Sequence, residues 1–138
     1  MFTITKAEKS YFRAAKAVSE LSDHPVRMGC VVVLGHRIIG SGCNSKTKCS
    51  STQAKLDRKR YGVYTPGHVH CEIAALDYLF KNNINLRRAE IYVYRQYKNG
   101  STAMARPCCS CMEFIKRCGI RKIHYTTSEG VATEEVFY

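Results

Sequence analysis

The sequence predicts an α/β protein: a three-layer α/β/α sandwich around a mixed central sheet of about five strands. Three observations carry this expectation. Helical and strand-like hydrophobic periods alternate along the chain, the run Cys30–Leu34 is unbroken apolar, and one pair of strands is joined by a tight glycine turn while others are separated by helix-length segments.

Residues 5 to 21 read as an amphipathic helix. Ala7, Tyr11, Ala14, Ala15, Val18 and Leu21 recur at three- and four-residue steps, and Thr5 with Glu8 matches a capping box. "SDHP" ends it. "MGCVVVLGHRIIGSGCN" then offers two β-branched runs around Gly35-His36, a glycine-first pair that suits a type II′ hairpin turn, and "CVVVL" implies a strand covered on both faces. Residues 45 to 67 form a polar insert with six basic residues against one acid between Lys46 and Arg60, and no element is assigned to it. A helix is expected from about His70, turning Ile73, Ala74, Leu76, Leu79 and Phe80 inward and stopping at Asn82-Asn83. "AEIYVYR" alternates as a strand does. After a turn at Lys98 to Ser101, Pro107 opens another helix that Gly119 closes. "RKIHYTT" supplies a further strand, and residues Val131 to Tyr138 a short last one.

Bulk composition sets limits. At 138 residues the chain fits one domain, residues 1–138, and 45% hydrophobic with 24% charged residues is globular usage. Cys30 to Leu34, the longest apolar run, is far short of a membrane span, and the N-terminus lacks signal-peptide design, so no membrane partner and a cytoplasmic location are expected. In that reducing setting eight cysteines read as metal ligands and buried thiols rather than disulfides. A net charge of +11, from 22 basic and 11 acidic residues, attracts phosphates on nucleotides, RNA or DNA.

The strongest chemical signal is "RPCCSC". Cys108 and Cys111 form P-C-x-x-C at a helix N-terminus, where the dipole and free N–H groups lower thiol pKa and favour thiolates. A redox pair is the competing reading. His70 adds an imidazole at a second helix start; with the two cysteines it makes three zinc ligands and leaves the fourth position for water, as in catalytic zinc sites. Glu72 points a different way around its helix and suits a base beside that water better than a ligand. Cys109, about 100° around the helix from Cys108, is assigned to packing.

His70-Cys71-Glu72 followed by Pro107-Cys108-Cys109-Ser110-Cys111 resembles the H-x-E…P-C-x-x-C signature of the zinc-dependent cytidine and deoxycytidylate deaminase superfamily. The resemblance implies a cytidine deaminase-like fold, one catalytic zinc on His70, Cys108 and Cys111, and Glu72 as the proton shuttle of a hydrolytic deamination. It also implies that Asn44, at the end of the second strand, contacts the substrate sugar, although a turn asparagine there is equally well explained. Two positions depart from the usual pattern: Cys71 stands where alanine is most frequent, and Arg106 where a shorter polar or acidic residue is usual. Arg106 either reaches a substrate phosphate or is solvated.

Three functions compete. A free-nucleotide deaminase, most naturally converting deoxycytidylate (dCMP) to deoxyuridylate, would draw its phosphate contacts from Lys46, Lys48, Arg58, Lys59, Arg60 and Arg106. A polynucleotide deaminase acting on cytosine or adenine would use the basic charge and stack bases on Tyr61, Tyr64 and Tyr125, which core or oligomer packing also explains. A non-catalytic zinc-stabilised nucleic-acid-binding module would have no use for Glu72. A homo-oligomer is compatible with the resemblance, superfamily members being often oligomeric. A second, structural zinc on Cys43, Cys49 and His68, with Cys71 or His24, is less favoured than buried thiols because its spacing is irregular.

Overall fold

A computed structural model of the chain describes residues 4–63 and 67–136. Its nine elements run α1 (Lys6–Ser19), β1 (Met28–Leu34), β2 (Arg37–Cys43), α2 (Ser51–Tyr61), α3 (Cys71–Lys81), β3 (Glu90–Arg95), α4 (Cys109–Cys118), β4 (Lys122–Thr127) and β5 (Gly130–Glu135). The sheet order is β2-β1-β3-β4-β5. Among the described residues only β3 and β4 pair in parallel, through the crossover helix α4, so the sheet is mixed as expected. Tyr64 and Tyr138 lie outside the described residues.

Two apolar layers sandwich this sheet. One gathers Phe12, Ala15, Val31, Val33, Tyr92 and Tyr94 beneath α1. The other, on the opposite set of alternating strand positions, gathers Cys30, Val32, Ile91, Val93 and Ile123 with Ile73, Leu76 and Phe114 from α3 and α4. At Gly42 a Cβ would stand 2.5 Å from the Ala75 nitrogen, and at Gly29 one would stand 2.1 Å from the Ala15 carbonyl oxygen. Glycine at these two positions lets α3 and α1 lie directly on the sheet, and Gly42 thereby sets the depth at which the start of α3 sits.

The Thr5–Glu8 capping box forms as expected. On α1, Ala15 is buried and Tyr11, Ala14 and Val18 pack against the core as expected, with Phe12 and Ser19 buried beside them, while Ala7 is exposed and Leu21, past the helix end, is 78% exposed. Gly35 and His36 both have positive φ, 59° and 64°, which makes the hairpin turn type I′ rather than II′. Phe80 is 41% exposed and touches Phe114 edge-on instead of entering the core. Cys109 is exposed, because α4 turns Ser110 and Cys111 inward. The basic insert holds a whole helix, α2, begun by Ser50 accepting from the Gln53 N–H and ended by Gly62 at φ 72°. No helix among the described residues is long and apolar enough to cross a membrane.

Candidate active site

His70 and Cys108 occupy the N-cap positions of α3 and α4, each with extended backbone and neither using its side chain as a cap. Both side chains are therefore free to face one another across the gap between the two helix starts. His70 Nδ1 lies 3.5 Å from Cys108 Sγ and 3.3 Å from Cys111 Sγ, and all three donor atoms fall within 4.8 Å of one another. A tetrahedral zinc with ordinary Zn–N and Zn–S bonds separates such donors by about 3.6 Å, so the trio fits that ion with little movement. Among the described residues no second group of three His, Cys, Asp or Glu donors comes together this closely.

Protonation within the trio follows from its contacts. The Cys111 thiol donates to Cys108 and, with His70, outweighs burial, taking the Cys108 thiol down to about 4. The same bond, together with burial, pushes Cys111 up. His70 is raised first by its bond to Cys108. Cys108 is thus the readiest of the three to act as a thiolate, and a zinc held by the trio would take Cys111 as a thiolate as well.

Glu72 is 3% exposed, and burial raises its carboxyl pKa. The Cys71 thiol donates to its Oε1 at 3.1 Å, which partly offsets that rise. Cys71 is fully buried, and its own pKa is pushed up by burial and by Glu72. The small residue between His70 and Glu72 is therefore a donor to the carboxylate rather than part of the His70–Cys108–Cys111 trio.

Sequence reasoning missed the support behind His70. Gln53, 0% exposed inside a helix of otherwise charged character, accepts from the His70 N–H at 2.9 Å through Oε1 and donates to Asp57 Oδ1 at 3.0 Å through Nε2. Asp57 Oδ2 in turn lies 3.2 Å from His68 Nε2. The legible signal was a serine cap at Ser50 and a glycine stop at Gly62 around Ala54 and Leu56, outweighed by six cations.

His70, Cys108 and Glu72 border a cavity of about 360 Å³, within the usual size range for a small-molecule site. Its chemical end carries His68, His70, Glu72 and Cys108; Met28, Val69 and Met104 give it apolar wall, and Lys46, Arg95 and Arg106 give it positive charge. Asn44 lines it too, but its amide is largely spent. Oδ1 accepts from Ser22 Oγ at 2.6 Å and from the Met28 N–H at 2.9 Å, while Nδ2 donates to the Val26 carbonyl at 2.6 Å. One N–H remains for a ligand. Arg106 reaches the cavity with its guanidinium already forked onto Glu134, Nε to Oε2 and Nη2 to Oε1, both at 2.8 Å. The expected stacking face of Tyr125 is not there: the ring is 8% exposed in the core, outside the cavity lining, and its hydroxyl donates to Glu134 at 3.1 Å. Tyr61 is exposed at the end of α2, also outside that lining.

Residues 5–127 match the model of the cytidine and deoxycytidylate deaminase zinc-binding region. The chain belongs to this deaminase family. It is therefore a zinc-dependent hydrolase, and His70, Cys108 and Cys111 can hold one zinc. No curated protein matches the chain significantly. Solved structures share its fold at low identity. The dCMP deaminase of cyanophage S-TIM5 is 19% identical over 91% of this chain and 86% of its own, with a TM-score of 0.64. The cytidine deaminase of Burkholderia pseudomallei is 18% identical over 96% and 94%, with a TM-score of 0.63. That of Mycobacterium leprae is 21% identical over 91% of each chain, with a TM-score of 0.53.

Proposed function

We propose that the protein hydrolyses the exocyclic amine of cytosine in a free nucleotide, with dCMP to deoxyuridylate as the preferred conversion, residues 1–138 acting as one deaminase unit. The observation that carries this reading is a single nucleotide-sized cavity that joins a buried carboxylate, a three-donor metal cluster and basic wall residues. The cyanophage dCMP deaminase of the same fold has been crystallised with dCMP and dUMP, which supports the choice of nucleotide. All eight thiols are free, which supports a reducing, cytoplasmic setting.

In this reading His70, Cys108 and Cys111 hold zinc, whose Lewis acidity activates water when it is bound. Glu72 takes a proton from the attacking water and passes it on to the substrate. The water oxygen bonds to C4, the C4–N bond breaks, and ammonia leaves with the transferred proton. A carboxyl with a raised pKa serves both directions of that transfer better than an ordinary one. Gln53, by holding the His70 N–H, fixes where the imidazole starts, and the remaining N–H of Asn44 is available to a sugar hydroxyl.

The test is mass spectrometry of products from dCMP, cytidylate, cytidine, cytosine, single-stranded DNA and tRNA, each with wild type and Glu72→Ala. Conversion of dCMP that disappears in the variant is expected. Turnover of an oligonucleotide with none of the monomers would establish a polynucleotide deaminase instead. RNA binding with a steep salt slope and no deamination would establish a binding module.

A further inference from the structure

Arg95 closes β3 at the cavity wall, and its backbone is held from two sides. Its N–H donates to Thr126 Oγ1 at 3.1 Å, and its carbonyl accepts from Thr126 Oγ1 at 3.2 Å and from the Ala103 N–H at 3.0 Å. The side chain therefore leaves a fixed point. Nη1 donates to the Met104 carbonyl at 3.3 Å, but Nε is buried with no hydrogen-bond partner. Among the described residues no ion pair includes Arg95. Arg106, on the same cavity, has its charge answered by Glu134. A guanidinium stays protonated at any working pH and presents a rigid fork that matches a phosphate. Arg95 thus puts a cation on the wall of a ligand cavity, and among the described residues no carboxylate is paired with it.

The geometry points to Arg95 as the residue that recognises the 5′-phosphate of the substrate, with Lys46, also on the cavity and in no ion pair, as a weaker second cation. This rests on the reading of the site as a nucleotide deaminase and sharpens it: Arg95 makes the substrate a nucleotide rather than a nucleoside. Arg106, one of the six cations that the sequence offered for this role, instead ties the segment before Pro107 to β5.

Binding of the reaction product tests this without turnover. Zinc-loaded wild type, Arg95→Gln, Arg95→Lys and Arg106→Gln are titrated calorimetrically with dUMP and with deoxyuridine. Wild type should bind dUMP at least about 10-fold more tightly than deoxyuridine, the increment expected of a charge-assisted contact. Arg95→Gln should bring the two within about twofold while leaving the deoxyuridine affinity in place. Arg95→Lys should recover part of the preference, and Arg106→Gln should keep it. The assignment is overturned if wild type shows no preference for dUMP, if Arg95→Gln or Arg95→Lys keeps the full preference, or if Arg106→Gln alone removes it. Failure of the deaminase reading has a different signature: no ammonia from dCMP or cytidine with wild type, whatever the binding ratio.

Discussion

Two inward-facing histidines lie on opposite faces of one sheet, and their surroundings differ in kind. His124, on the α1 face, is 4% exposed; Nε2 faces Glu90 Oε1 at 2.6 Å, Nδ1 faces Thr133 Oγ1 at 2.7 Å, and the ring stacks on Tyr92 with centroids 4.2 Å apart. Every polar atom of that ring is answered by the chain. His70, on the other face, turns Nδ1 toward two sulfurs that also face each other, and the group opens onto a cavity. A cluster closed by its own partners holds the fold together; one whose donors converge on a common point beside a cavity can hold a metal ion.

The largest expected effect separates the two directly. His70→Ala removes one of three donors, so zinc content should fall from one equivalent per chain to near none, deamination to background, and stability with it, because metal binding is coupled to folding. Elemental analysis after gel filtration reads this, and full occupancy in the variant would refute the ligand assignment. Glu72→Ala comes next. It should keep its zinc while kcat drops at least ~100-fold, the lower end for loss of a general acid–base group. Unchanged kcat would remove Glu72 from the mechanism.

His124→Phe makes the converse test. The ring stack on Tyr92 is kept while both nitrogen contacts are lost, so unfolding free energy in urea should fall by about 1–3 kcal/mol. Zinc content and kcat should stay at wild-type values. A loss of zinc in this variant would mean that the two faces of the sheet are not independent.

The same contrast explains what the sequence disclosed. His70, Glu72, Cys108 and Cys111 stood out because their residue types and local spacing lie at helix starts, and local spacing is visible in a linear chain. The strands were legible for a similar reason, since β1 is buried along nearly its whole length. Gln53 was invisible, because a glutamine among lysines and arginines carries no sign that its amide will reach the backbone of residue 70. Arg95 and Arg106 look alike in the sequence; which one is neutralised depends on Glu134, 28 residues beyond Arg106 on β5. Tyr125 failed for the same reason: the strand face on which it sits is set by the register of β3 against β4, and no local pattern fixes that.

The Arg106–Glu134 pair sharpens the comparison, because it borders the cavity like His70 yet is closed by its own partner like His124. Its side chains are 49% and 33% exposed, so solvent screens them, and Glu134→Gln should cost about 1 kcal/mol or less. The sign of its pH dependence follows from the fork on Arg106, which holds the Glu134 carboxyl below its ordinary 4.5. A carboxyl lowered in the folded state stabilises fully above its unfolded-state pKa and loses that contribution as pH falls through the folded one. The gap between wild type and Glu134→Gln in urea unfolding should therefore be present at about pH 7 and close as pH falls through the lowered pKa of the folded-state Glu134 carboxyl. A gap of the same size at both ends would assign Glu134 to packing rather than charge, and would return Arg106 to the cavity as a second unanswered cation beside Arg95.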